Sequence, residues 1–135
     1  MKVINASIDV ATTKSAEMVN ITQRVKGLVR NGGITDGLCC VTSSHTTAGL
    51  TLNENTDPNV QRDILTALER AVPKEAGYYK HEEGNAHAHV KASLMGFSLT
   101  IPIQGGRLLL GTWQAIFLAE FDGPRARKVS VTLLG

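Results

Sequence analysis

The stretch from Leu99 to Leu134 most limits what this chain can fold into. Leu99, Ile101 and Ile103 alternate with Thr100 and Pro102, and Gln104-Gly105-Gly106-Arg107 then supplies a hairpin turn. Pro102 marks a strand edge or a bulge, since it cannot donate to a ladder. Leu108 to Leu110 and Thr112 to Phe121 follow, Asp122-Gly123-Pro124 turns the chain again, and Arg127 to Leu134 reads as a last strand. Turns this short join antiparallel neighbours, because a parallel return needs a crossover of a dozen residues or more. Within the Thr112 to Phe121 run, Trp113, Ala115, Phe117, Ala119 and Phe121 share one face. Gln114, Ile116, Leu118 and Glu120 share the other, and Trp113 is assigned to the core.

Upstream, strands and helices are interleaved. Met1 to Val10 alternates as a strand, and Glu17 to Ile21 is a short second one. Thr22 reads as an N-cap, with Val25, Leu28 and Val29 making the apolar stripe of a helix at about Gln23 to Arg30. Asn31-Gly32-Gly33 stops it. Gly37 to Ser44 and Gly49 to Asn53 are further strands. Asp57-Pro58 opens a second helix, carried by Val60, Ile64, Leu65, Leu68 and Val72 and closed before Pro73. Lys74 to Asn85 is a polar loop, and Ala88 to Leu94 is read as a strand. The pattern predicts an α+β fold: an extensive antiparallel sheet or sandwich with two main helices, in one compact domain spanning 1–135.

The net charge of +2 is too small for a nucleic-acid footprint. Arg125-Ala126-Arg127-Lys128 either rims a turn or faces a phosphate. No stretch is long and apolar enough to span a bilayer. Cys39 and Cys40 are adjacent on a strand, point to opposite faces and lack metal spacing, so both are expected to be reduced packing residues of a cytoplasmic protein.

All four histidines fall in two polar segments, His45 to Pro58 and His81 to Lys91. If His87 and His89 lie on a strand they share a face, and with His45 or His81 they form an open three-histidine site suited to Zn²⁺. Asp57 caps a helix whose N-terminus also suits an anion. Glu54, flanked by Asn53 and Asn55, is either an exposed loop carboxylate, a general acid or base, or an oxygen ligand for Mg²⁺. Thr46 and Thr47 place hydroxyls beside His45. Gln114 and Glu120 are polar residues on an otherwise apolar strand face, which calls for partners.

His45-Thr46-Thr47-Ala48, Leu50-Thr51-Leu52-Asn53-Glu54-Asn55 and Asp57-Pro58 together resemble the signature of the YjbQ-like family. So do His89-Val90-Lys91-Ala92-Ser93-Leu94-Met95-Gly96, Leu99 to Pro102, Gly106-Arg107-Leu108, Leu110 to Gln114 and Glu120-Phe121. The resemblance runs over essentially the whole chain. It implies a small α+β protein assembled as a homotrimer, with a histidine-bound metal. It also implies secondary thiamine-phosphate synthase activity, joining a hydroxymethylpyrimidine pyrophosphate to a thiazole phosphate. The positions matching the family's polar motifs are His45, Glu54, Asp57, His81, Asn85, His89, Gln114 and Glu120. His87 departs from it, standing where many members carry an acid.

The resulting expectation has His45, His81 and His89 holding zinc, with magnesium as a further ion. Glu54, Asp57, Gln114 and Glu120 are the catalytic candidates, and Thr46, Thr47 and Asn85 would bind a small phosphorylated substrate. A zinc-dependent hydrolase and a non-catalytic binder of a phosphorylated ligand are the alternatives. Neither nucleic acid nor membrane is an expected partner.

Overall fold

The structure is a computed structural model describing residues 1–135. In chain order its elements are β1 (Val3–Ala11), β2 (Glu17–Asn20), α1 (Thr22–Gly32), β3 (Gly37–Ser43), β4 (Ala48–Glu54) and α2 (Pro58–Ala71). Then come α3 (Ala86–Met95), β5 (Ser98–Gln104), β6 (Arg107–Leu108), β7 (Gln114–Glu120) and β8 (Ala126–Leu134). Two antiparallel sheets result, one ordered β1-β8-β3-β5-β6 and the other β2-β7-β4. The architecture is α+β, with three helices where the sequence pattern indicated two.

The alternation along each strand decides where the core sits. Ile8 and Val10 of β1, Cys39 and Val41 of β3, and Val129, Val131 and Leu133 of β8 point to the second sheet. Leu50, Ile116 and Leu118 point back, and Val25 and Val29 of α1 cover one side. Each such side chain contributes about 1.5–3 kcal/mol by leaving water. Strand β7 is central in its sheet and covered on both faces, so both of its alternating sets are apolar. Its other face, with Ala119, packs beside Phe121 on Ala88 and Ala92 of α3 and Leu65 and Leu68 of α2.

Several local expectations need correction. Residues 86–95 form α3, not a strand. The helix is rich in alanine, starts at Asn85 and ends at Gly96, whose φ is +93°. Thr22 is the first residue of α1 rather than its cap. Its hydroxyl donates to Asn20 Oδ1 at 2.6 Å and accepts from Ile116 N–H at 2.8 Å. Trp113 is not in the core but 59% exposed, because β7 begins one residue later, at the rim. Asp57 does cap α2, accepting from Asn59 N–H at 2.9 Å with Pro58 behind it.

The end of α3 is tied into the sheet. Ser43 N–H donates to Phe97 O and Leu50 N–H to Gly96 O, at 2.8 and 3.0 Å. Gly49 permits this approach, since a Cβ there would stand 2.8 Å from Gly96 O and from the Met95 side chain. The N-terminal turn of α3 is thereby held beside the loop after β3.

Candidate functional site

At one end of the sandwich the loop after β3, the start of α3 and the β7–β8 connection surround a pocket of about 320 Å³. His45, Thr46 and Thr47 enter from the first, Asn85 and His89 from the second, and Asp122 and Arg125 from the third, with Arg127 reaching in from the start of β8.

A buried ion pair fixes this end. Glu120 of β7 is fully buried on the core-facing side, and Arg127 of β8 is 5% exposed. The Glu120 carboxylate accepts from Thr12 Oγ1 at 2.7 Å, Asp122 N–H at 3.0 Å, Arg127 Nε at 2.9 Å and a terminal guanidinium nitrogen of Arg127. Burial pushes this carboxyl up, but the hydrogen bonds from Arg127, Thr12 and the Asp122 amide outweigh it and hold it below the usual range. Arg127 also donates to Thr47 Oγ1 at 2.8 Å and Thr47 O at 3.3 Å, so the pair clamps the loop carrying His45. Glu120, expected to be catalytic, is fully buried with both carboxylate oxygens hydrogen-bonded to the frame. Thr47 Oγ1 likewise accepts from Arg127, and its hydroxyl proton has no protein acceptor.

His45 sits on this clamped loop with its amide donating to Ser43 Oγ at 3.2 Å. Its Nε2 accepts from Lys128 N–H at 2.9 Å, so Nε2 carries the lone pair and Nδ1 the proton. Burial, then the Arg127 charge, lowers its pKa. The ring is a neutral donor, offering Nδ1–H.

Asp122 Oδ2 accepts from Asn85 Nδ2 and from Arg125, each at 2.8 Å. Burial raises its pKa, but these bonds and the Arg125 charge hold it below the ordinary carboxylate range. Arg125 is half exposed and also donates through Nε to Asp122 O at 2.8 Å, leaving its remaining N–H groups to the pocket. Asn85 is buried, and its Oδ1 has no partner. His89 touches His81 edge-on, ring centroids 5.1 Å apart.

The three expected metal ligands do not converge on one point. His45 Nε2 is committed to Lys128, exposed His81 leans towards Glu83 at 3.8 Å, and His89 meets His81 only ring to ring. No group of three or more His, Cys, Asp or Glu side chains is placed to hold a metal ion. His87 does not join His89, because residues two apart on a helix point nearly opposite ways. It lines a separate cavity under α2 instead.

The remaining candidates lie elsewhere. In the β4–β7 ladder Ala48 faces Glu120 while Glu54 faces Gln114. Glu54 and Gln114 therefore stand six residues, about 20 Å, from the His45 end. Asp57 is with them, its N–H donating to Glu54 Oε2 at 3.3 Å. Gln114 Oε1 accepts from Gly111 N–H at 2.8 Å, closing a local turn. One protomer thus separates the residues expected to act together. Asp122 and Arg125 were missed as site residues, because Asp122-Gly123-Pro124 and the basic cluster were read as turn and rim. Their signal was the acid and guanidinium spaced three apart around that turn.

Residues 6–135 match the family model described as UPF0047 protein YjbQ-like. The chain belongs to the YjbQ-like UPF0047 family. Within that family it is 43% identical over 129 residues to the UPF0047 protein YugU of Bacillus subtilis, covering 96% of this chain and 98% of YugU. It is 46% identical over 126 residues to a UPF0047 protein of Methanocaldococcus jannaschii, covering 93% and 91%. A solved UPF0047 structure from Clostridium acetobutylicum superposes with a TM-score of 0.93 at 51% identity, covering 96% of this chain and 99% of that one. A YbjQ-like protein from Sulfolobus solfataricus gives 0.95 at 38% identity, covering 99% and 98%. The first is described as an uncharacterized conserved protein and the second as a protein of unknown function. These descriptions correct the functional expectation. The relatives are UPF0047 proteins, and none of these names is a thiamine-phosphate synthase, a zinc hydrolase or a phosphorylated-ligand binder.

Proposed function

We propose that the His45–His89 pocket carries out proton transfer next to the carbonyl of a small carboxylate substrate. The observation that carries this reading is the division of labour between its imidazoles. His45 is fixed by Lys128 N–H as a neutral donor, and His89 has no such restraint. Nδ1–H of His45 hydrogen-bonds the carbonyl oxygen and stabilises the negative charge it gains as a C–H proton leaves. His89 accepts that proton and returns it to carbon. Arg125 holds the substrate carboxylate, a planar group its free N–H edge can grip. Each step is reversible, so the minimal observable is exchange of a carbon-bound proton with solvent.

The test is incubation with a panel of small 2-keto and 3-keto carboxylates in D₂O, read by NMR. Deuterium at the carbon beside the carbonyl is expected, slowed about 10²–10⁴-fold in His89→Gln, as removal of a general base does. If no member of the panel exchanges faster than in buffer, the reading is wrong.

The resemblance implies zinc on His45, His81 and His89, and the nearness of the His81 and His89 rings supports it. It requires His45 to leave Lys128, and elemental analysis beside His89→Ala decides it. Homotrimeric assembly belongs to the same proposal, supported by the exposed Leu94, Phe97 and Trp113. A cytoplasmic setting is supported by the two free cysteines. No helix is long and apolar enough to cross a membrane.

A further inference from the structure

The larger concavity of the molecule, about 980 Å³, lies between α2, the β1–β2 connection and the loop entering α3. It adjoins the His45 pocket, and the Asn85–Asp122 hydrogen bond forms part of the wall between them. Its volume suits a small organic ligand. Phe121 and Met18 contribute apolar lining, while most of the wall is polar or charged.

His87 lines this cavity and is only 7% exposed, yet its imidazole has no hydrogen-bond partner. Nδ1 is sealed from solvent and bonded to nothing. No protein group is placed to accept a proton from Nδ1. We take the proton to sit on Nε2, the nitrogen that is not sealed and can meet a ligand. A built, unpartnered donor thus faces the cavity.

The surrounding charges select the ligand's sign. Two of the four acids on the wall are charge-paired, and the other two, Glu17 and Glu83, keep their charge. Glu69 pairs with Lys91, Asp122 with Arg125, Glu83 leans on His81, and Glu17 accepts from Thr13. Lys14, Arg62, Arg70 and Lys74 also line the cavity, and none has a carboxylate within 4.0 Å. Lys14, Arg62, Arg70 and Lys74 outnumber the two uncompensated carboxylates, Glu17 and Glu83, so the wall keeps an excess of positive charge that favours an anion.

We propose that this cavity is a second binding site, for a small organic polyanion, with Nε2–H of His87 as its buried contact and Arg62 and Arg70 of α2 as its charged ones. It goes beyond the His45–His89 reading and does not depend on it.

The probe is citrate, titrated into the full-length protein and followed by calorimetry and by the imidazole ¹⁵N resonances. Saturable binding that moves His87 is expected. Arg70→Ala, a surface change that spares the core, should weaken it about tenfold, the effect of one charge-assisted contact. His87→Phe should weaken it at least as much, and His45→Phe should leave it unchanged. Citrate that moves only His45 and His89 would overturn the second site while leaving the first. Citrate that moves no imidazole, or binding indifferent to Arg70→Ala, would also overturn it.

Discussion

Glu120 and Arg127 show how one pair of residues decides what a whole site can be. Strand β7 brings the carboxylate and β8 the guanidinium, so the contact spans the two sheets where the hydrophobic core ends. Neither partner would be tolerated there alone, and breaking such a buried pair costs about 3–5 kcal/mol because the survivor is stranded. Glu120→Gln is therefore expected to lower stability by about that amount in urea titrations at neutral pH, with the Lys128–His45 bond loosened as the loop relaxes. The pH dependence follows from the direction of the Glu120 shift. Its folded pKa lies below its unfolded value, so its contribution is complete above the unfolded carboxylate range and fades as pH falls through the folded pKa. Stability should fall on acidification below about pH 4, the unfolded glutamate value, and the Glu120→Gln variant should show a shallower slope over that range. Equal slopes in the two proteins would mean that other carboxylates set the acid limb.

Helices α2 and α3 mark where the sequence could and could not be read. Helix α2 announces itself: Asp57 is a strong cap, Pro58 fits the first turn, and Val60, Ile64, Leu65 and Leu68 recur at helical spacing. Asp57→Ala should cost about 1 kcal/mol and lower the melting temperature by a few degrees, while Asp57→Ser should restore most of it. No change in melting would show that Pro58 and packing alone start the helix. Helix α3 carries no such signature. Ala88 and Ala92 face the sheet, but His87 and Lys91 are also buried, so the polar and apolar positions do not sort onto opposite faces. A helix buried on several sides loses the periodicity by which sequence reading finds it. That single misreading placed His87 beside His89 and so shaped the expected metal site. The strands of the tail were legible because Gly105-Gly106 and Gly123-Pro124 punctuate it, but only the first turn joins paired neighbours, β5 and β6. The second carries the chain from one sheet to the other, so β7 and β8 do not pair, and Trp113 falls outside the buried face of β7. The polar residues were legible as a set but not as a place. Alternation along β4 and β7 reveals which face Glu54 and Gln114 occupy, whereas their distance from His45 follows only from the ladder register.

At the scale of the molecule, two polar centres about 20 Å apart sit at opposite ends of one sheet, and apolar side chains stay in water between and around them. Val90 and Leu94 lie four residues apart on one face of α3, and with Phe97 just beyond they are exposed at 41%, 65% and 63%. Trp113 and Leu109 are exposed near the Glu54 end. A closed ring of three copies joins two different patches at every interface, since a head-to-tail contact is heterologous. In the proposed trimer such an interface would bury the α3 patch of one copy against another surface of the next. It would give the Glu54–Gln114 end a way to approach a neighbour's histidines that a single chain lacks. Light scattering after size exclusion should give three times the mass of one chain. Leu94→Glu combined with Phe97→Asp should shift that mass to the monomer with the far-UV spectrum intact, because neither side chain contributes to the core of one protomer. A monomeric wild-type protein, or a double variant that stays trimeric, would remove α3 from the interface and leave Glu54 and Gln114 without a route to the His45 pocket.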